Sequence, residues 1–155
     1  MGYIRFIKIN LFIIISLDIM QPQTYDISKG KEYITKIFYD SVIPSLSEFI
    51  KIPNLSRGFD PEWATNGRLE EAANHIKTWV EALGIKGLKS EIIKHEGYSP
   101  LIYTEVAGDI PDRTIMFYGH FDKQPPFVGW SEGKGPTTPV IENGKLYGRG
   151  GADDG

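Results

Sequence analysis

Thr114-Ile115-Met116-Phe117-Tyr118-Gly119-His120-Phe121-Asp122 is a short apolar run that ends at a glycine and then delivers a histidine and an acid to a loop. The run predicts a buried strand over residues 114–118. In open α/β sheets ligands bind beyond the carboxyl ends of strands, which is where His120 falls. His120 and Asp122 are two apart, so in an extended segment both side chains point the same way. A neutral imidazole binds an ion through one nitrogen, and a carboxylate can accept the other nitrogen's proton and so fix the ring's orientation. The H-x-D pair is therefore a chemically sensible ligand and orienter. Alone it is a weak signal, and a loop histidine beside a turn aspartate is the more frequent case.

Outward from this stretch, the upstream half reads as helical. A pattern over residues 28–39 places Tyr33, Ile34, Ile37 and Phe38 on one face. Pro44 disturbs it, and Leu46, Phe49 and Ile50 suggest a further turn or two of helix. Pro53, Asn54, Ser56, Arg57, Gly58, Asp60 and Pro61 predict a loop. The clearest helix covers residues 67–83, with Leu69, Ala72, Ala73, Ile76, Trp79, Val80 and Leu83 spaced by three and four. Asn66 is its expected N-cap and Gly84 its expected stop. That stripe needs a sheet or another helix to cover it.

The rest is strand-like. Residues 89–94 and 101–106 predict strands separated by a turn over residues 97–100, and residues 108–113 form a polar connection. Residues 138–142 and 145–147 flank Asn143-Gly144, a strong hairpin signal because both turn residues must adopt positive φ. Helices first and strands after, around a buried strand, predict an α/β sandwich with a mixed sheet.

The hairpin runs into a second informative stretch, Gly144-Lys145-Leu146-Tyr147-Gly148-Arg149-Gly150-Gly151-Ala152-Asp153-Asp154-Gly155. A strand ends in a glycine-rich turn that presents two adjacent acids. Glycine lets backbone approach a ligand closely. One aspartate, with two oxygens, can bridge two ions. The bland reading is a solvated turn with an acid capping the next helix. Phosphate binding is poorly supported, because no Gly-Lys-Ser/Thr ending is present and the acids would repel phosphate.

Composition narrows the class. The 155 residues suffice for one ordinary domain and are too few for two comfortable ones. The apolar share of 41% allows a real core, and the net charge of −3 gives no pull toward nucleic acid or anionic lipid. With no cysteine, a metal would have to be held by histidine and carboxylates. At the N-terminus, Arg5 and Lys8 precede an apolar run over residues 9–17 that resembles a short signal segment. It is too short to span a bilayer as a helix. The favoured reading is that Met20 is the true start and the protein is cytoplasmic. A secreted or membrane-anchored protein follows if residues 1–19 are a real signal. The domain reading is residues 1–23 as an extension and residues 24–155 as the N-terminal part of a catalytic domain.

The pair YGHFDKQPPFVGW and GKLYGRGGADDG resembles the dinuclear zinc hydrolases of the carnosinase, aminoacylase and carboxypeptidase G type, metallopeptidase family M-twenty. Gln124-Pro125, Trp130 and the LYGRG run resemble the carnosinase-like dipeptidases more than the desuccinylases. The resemblance is tight from Thr114 onward, looser over residues 33–108, and does not include residues 1–23. It implies that the α/β fold is a three-layer sandwich with a mixed central sheet, that His120 binds one zinc, that Asp122 orients that histidine and that Asp153 bridges the two metals. Asp154 matches an acid that is not a family ligand, and Gly155 stands where many relatives have lysine. The cofactor implied is two divalent ions, zinc first, with manganese or cobalt as alternatives. The family's general-base glutamate, further ligands, a late histidine and the lid or dimerisation domain have no counterpart up to Gly155. The expected activity is cleavage of the amide bond of dipeptides or short peptides, in a protein able to form a homodimer. An N-acyl amino acid deacylase of the same fold is the alternative. From another class, a catalytically dead fragment or binding module remains. This chain by itself is expected to be inactive. His75 is expected to be a boundary residue of its helix, His95 solvated, Trp79 core, Trp63 and Trp130 loop residues, and Tyr33, Phe38 and Phe49 packing residues.

Overall fold

A computed structural model describes residues 26–108 and 114–153. The readings of residues 1–25, of the connection at residues 109–113 and of Asp154 and Gly155 lie outside the described residues. Helix α1 (Ile27–Ile37) starts at Asp26, whose carboxylate accepts from the Ser28 and Lys29 amides at 3.0 and 3.2 Å. The chain does not break at Pro44. A π-helical turn (Phe38–Val42) leads directly into α2 (Ile43–Lys51), in which Pro44 occupies the first turn. Proline has no N–H to return to the carbonyl four residues back, and its ring crowds that carbonyl. Widening the preceding turn, with the Ile43 amide reaching back to Phe38 O, removes both conflicts.

Helix α3 (Arg68–Ala82) occupies the predicted stretch. Gly67, at φ 73°, is the residue at its N-cap position, but Asn66 still serves the end, because its side-chain oxygen accepts from the Arg68 amide at 3.0 Å. Gly84 ends it at φ 64°, the left-handed stop expected of it. Leu69, Ala72 and Ala73 are buried, while Ile76, Trp79, Val80 and Leu83 are half-buried. His75 sits at the boundary, its Nε2 donating to Ser45 O at 2.9 Å and lying 3.0 Å from Ser45 Oγ, which pins α3 to α2. Trp79 Nε1 donates to Ser41 Oγ at 3.0 Å, so its edge is tied to the π-helical turn.

Strands β1 (Leu88–Ile93) and β2 (Leu101–Val106) pair antiparallel with Leu88 opposite Val106 and Ile93 opposite Leu101. Strands β3 (Val140–Glu142) and β4 (Lys145–Tyr147) form the second hairpin. Its turn has Asn143 at φ 52° and Gly144 at φ 72°, the pair of positive angles that Asn-Gly announces. The two sheets are separate and two-stranded. One isolated parallel bridge, Leu55 to Lys123, adds a different kind of pairing.

The expected buried strand at residues 114–118 is corrected by the structure. These residues have no regular secondary structure and are exposed, with Met116 at 88% and Tyr118 at 87%. An apolar run forms a strand only where a neighbouring strand accepts its hydrogen bonds and a layer covers its faces. None of the described strands pairs with this run.

The core is small and lies where the site is held. Leu46, Phe49, Ile50, Ile52 and Ala72 are buried together, and Ile76, Phe121 and Leu146 pack against them. Thus α2, α3, the residue between His120 and Asp122, and strand β4 meet in one apolar cluster. Phe121 packs on the core, and His120 and Asp122 on either side of it are half-buried.

Candidate metal site

His120 and Asp122 flank Phe121, whose packing against the core fixes the local backbone. The carbonyl of Phe121 accepts from Asn54 Nδ2 at 2.6 Å, and Asn54 is fully buried. Backbone bonds fasten the strand of chain on the other side: the Lys123 amide donates to Asn54 O at 2.8 Å, and the Ser56 amide donates to Lys123 O at 2.9 Å. Phe121 and Lys123, on either side of Asp122, are therefore tethered to the loop that follows α2.

His120 Nδ1 lies 3.0 Å from Asp122 Oδ1 and 2.9 Å from Asp122 O. A backbone carbonyl can only accept, so Nδ1 carries the proton and donates to both oxygens. In the neutral ring this leaves the lone pair on Nε2. Nε2 lies 3.5 Å from Asp153 Oδ1. The structure thus brings His120, Asp122 and Asp153 together, across a separation of about thirty residues that the β3–β4 hairpin closes.

Two ligands about 2.0–2.2 Å from one tetrahedral ion stand about 3.3–3.5 Å apart. The His120–Asp153 separation falls in that range, and the Nδ1 bonds supply the orientation that ligating histidines need. The pair fits as two ligands of a single ion. Among the described residues, no group of three or more His, Cys, Asp and Glu side chains is placed to hold a metal. Asp153 is mostly exposed, at 59% for its side chain, whereas His120 and Asp122 are at 32% and 28%.

The glycine-rich turn has a cause that its sequence does not announce. A Cβ on Gly148 would overlap Ile50 Cγ2, and one on Gly150 would stand 2.6 Å from Lys123 Cε. Gly148 and Gly150 also have φ of 154° and 87°. These glycines let the turn lie on the core and on Lys123, where the sequence reading saw only approach to a ligand. Arg149 braces the same turn, with Nη2 donating to Pro125 O at 2.8 Å and its guanidinium 4.3 Å from the Phe127 ring centroid.

Sequence reasoning missed Lys123 and Asn54. Lys123 is 2% exposed, and its Nζ donates to the carbonyls of Phe49, Ile52 and Ile50 at 2.7, 2.6 and 3.3 Å. It also stands 4.3 Å from the Phe49 ring centroid. Burial pushes its amine down to about 8. A lone lysine after an H-x-D pair carries no signal of burial, so nothing in the sequence distinguishes it from a surface lysine.

Among the described residues, no helix is long and apolar enough to cross a membrane. No family model matches the chain. The chain is similar to the Cys-Gly metallodipeptidase dug1 of Schizosaccharomyces pombe, with 28% identity over 124 residues that cover 74% of the chain and 25% of that protein. The chain therefore spans about a quarter of the length of this curated relative, and the relationship is one to a metallopeptidase.

Proposed function

We propose that this chain forms part of a metal-dependent hydrolase that cleaves the amide bond of dipeptides or short peptides. His120 and Asp153 are metal ligands in this reading, and Asp122 is the residue that orients His120. The observation that carries it is the ring of His120, proton engaged on one side by Asp122 and lone pair turned on the other toward Asp153 at 3.5 Å. The similarity to a metallodipeptidase supports the same class from outside the structure. The fold that we propose for the domain is the three-layer α/β sandwich with a mixed sheet. The parallel bridge at Leu55 and Lys123 is the feature that favours it.

A divalent ion held by His120 and Asp153 would supply a water of lowered pKa and a Lewis acid for the scissile carbonyl. The chain's own contributions are more specific. Asp122 holds the tautomer in which Nε2 is free of a proton, and it opposes the charge that His120 takes on as a ligand. Asp153 brings a carboxylate with a second oxygen. We propose that this second oxygen serves a second ion, as the family resemblance implies. Zinc is the expected metal, with manganese and cobalt as alternatives, and the intact protein is proposed to work as a homodimer.

The test follows the ring nitrogens of His120. Zinc added to the chain should shift the Nε2 resonance in nitrogen NMR spectra and leave Nδ1 protonated. His120→Ala should abolish zinc binding at this site, and in the intact protein should remove nearly all activity. Asp122→Ala should lower metal affinity or rate by roughly 10–100-fold, short of the loss of a direct ligand. The intact protein should cleave unblocked dipeptides faster than N-acetyl amino acids. Zinc that leaves the His120 ring unperturbed would end the metal reading, and faster cleavage of the acylated compounds would favour the deacylase.

A further inference from the structure

The two arms of the candidate site come from distant parts of the chain, and one side chain lies between them. Lys123 follows Asp122 directly. Its backbone pairs with the loop after α2 through the Asn54 carbonyl and the Ser56 amide. Its stem runs beneath Gly150, so closely that a Cβ there would stand 2.6, 3.3 and 3.3 Å from Cε, Cδ and Cγ. Its ammonium ends on three carbonyls at the C-terminus of α2.

Each of these contacts has a physical reason. The last carbonyls of a helix have no partner within the helix, and the helix dipole places partial negative charge there. An ammonium has three protons and no acceptor, and here it meets three carbonyls. The charge is thus satisfied without a carboxylate. The stem lies between helix and turn, and the glycine turn can rest on it because Gly150 has no side chain.

We propose that Lys123 is a positioning residue for the metal site, its ammonium anchoring the His120–Asp122 loop to the end of α2 while its stem serves as the seat of the glycine turn that carries Asp153. The separation of His120 from Asp153 is then set by contacts with one buried side chain. This rests on the proposed role of His120 and Asp153 as ligands. It goes beyond that role in assigning to Lys123 and Gly150 the task of holding the two ligands in register.

The chain has no cysteine, so a single one placed at position 123 can be modified alone. Lys123→Cys is unfolded, alkylated and refolded in two forms: aminoethylated, which restores a lysine-like ammonium, and S-propylated, which restores only an apolar stem. Two readouts are taken, the ring-nitrogen shifts of His120 without metal and the affinity for cobalt(II) by absorbance. Unmodified Lys123→Cys should bind cobalt at least tenfold more weakly than the parent, with altered His120 shifts. The aminoethylated protein should return both readouts to within about twofold of the parent, and the S-propylated protein should not. Gly150→Ala, which keeps the ammonium, should weaken cobalt binding while leaving the Nδ1 shift of His120 in place, because the displaced turn carries Asp153 and not Asp122. The proposal is overturned if the propylated form is restored as fully as the aminoethylated one, or if Gly150→Ala binds cobalt as the parent does. If His120→Ala leaves cobalt binding intact, the metal site itself has failed, an outcome separate from the failure of Lys123.

Discussion

A histidine can serve a metal only when its second nitrogen is kept protonated and its ring is held still, and both depend on neighbours. For His120 the neighbours are the carboxylate and the carbonyl of Asp122. The same economy of contacts places Lys123, whose partners are carbonyls alone. Burial lowers its amine from 10.5 to about 8. Between those values the unfolded chain holds a proton that the folded chain has released, so stability rises with pH across that window. The contribution is complete above the unfolded value and is lost as pH falls through the folded one. Each pH unit of difference is worth about 1.4 kcal/mol, so the full effect is a few kcal/mol at most. Urea unfolding of the parent and of Lys123→Met should therefore diverge between about pH 8 and about pH 10.5, the parent alone gaining stability. Parallel curves would mean that the amine titrates as it does in water.

At the scale of elements, the turn after β4 is held by absence of side chains. Gly148→Ala should destabilise the chain by about 1–3 kcal/mol, since the added methyl must displace Ile50, which is fully buried. Gly58→Ala, at a position with open space around its Cβ, should change stability little. Thermal or urea unfolding compares the two, and equal effects would remove the close approach as the cause. Much of this level was legible in the sequence. The period of α3, the Gly84 stop and the Asn143-Gly144 turn each follow from local chemistry, and each is found as read. The H-x-D pairing was legible too, because a two-residue spacing is a local fact. What was not legible depends on distant partners. Pro44 reads as a disturbance of the helical pattern, but the widened turn that absorbs it is not announced by the sequence. Residues 114–118 have strand composition, yet pairing is a property of neighbours, and here they stand exposed. The reason for Gly148 and Gly150 lies in Ile50 and Lys123, which the sequence places far away.

Taken as a whole molecule, the chain couples a small core to a large apolar surface. Val128 is 97% exposed, Met116 88%, Tyr118 87% and Phe127 72%, on both sides of the candidate site in sequence. No residue of α1 is buried, although the helix has an apolar face. Exposed apolar residues in an unpaired extended segment favour association with other chains. Two described donors, His120 and Asp153, fall short of the about four ligands that a zinc ion takes. Water at the remaining positions does not enforce a tight site. The 155-residue chain on its own should therefore bind zinc weakly, lack dipeptidase activity and self-associate as its concentration rises. Calorimetric zinc titration, a dipeptide assay and size-exclusion chromatography over a range of concentrations check the three points. Tight binding of two zinc ions with turnover would mean that residues outside the described set complete the centre. A sharp monomer peak at every concentration would mean that the apolar run at residues 114–118 is covered in solution.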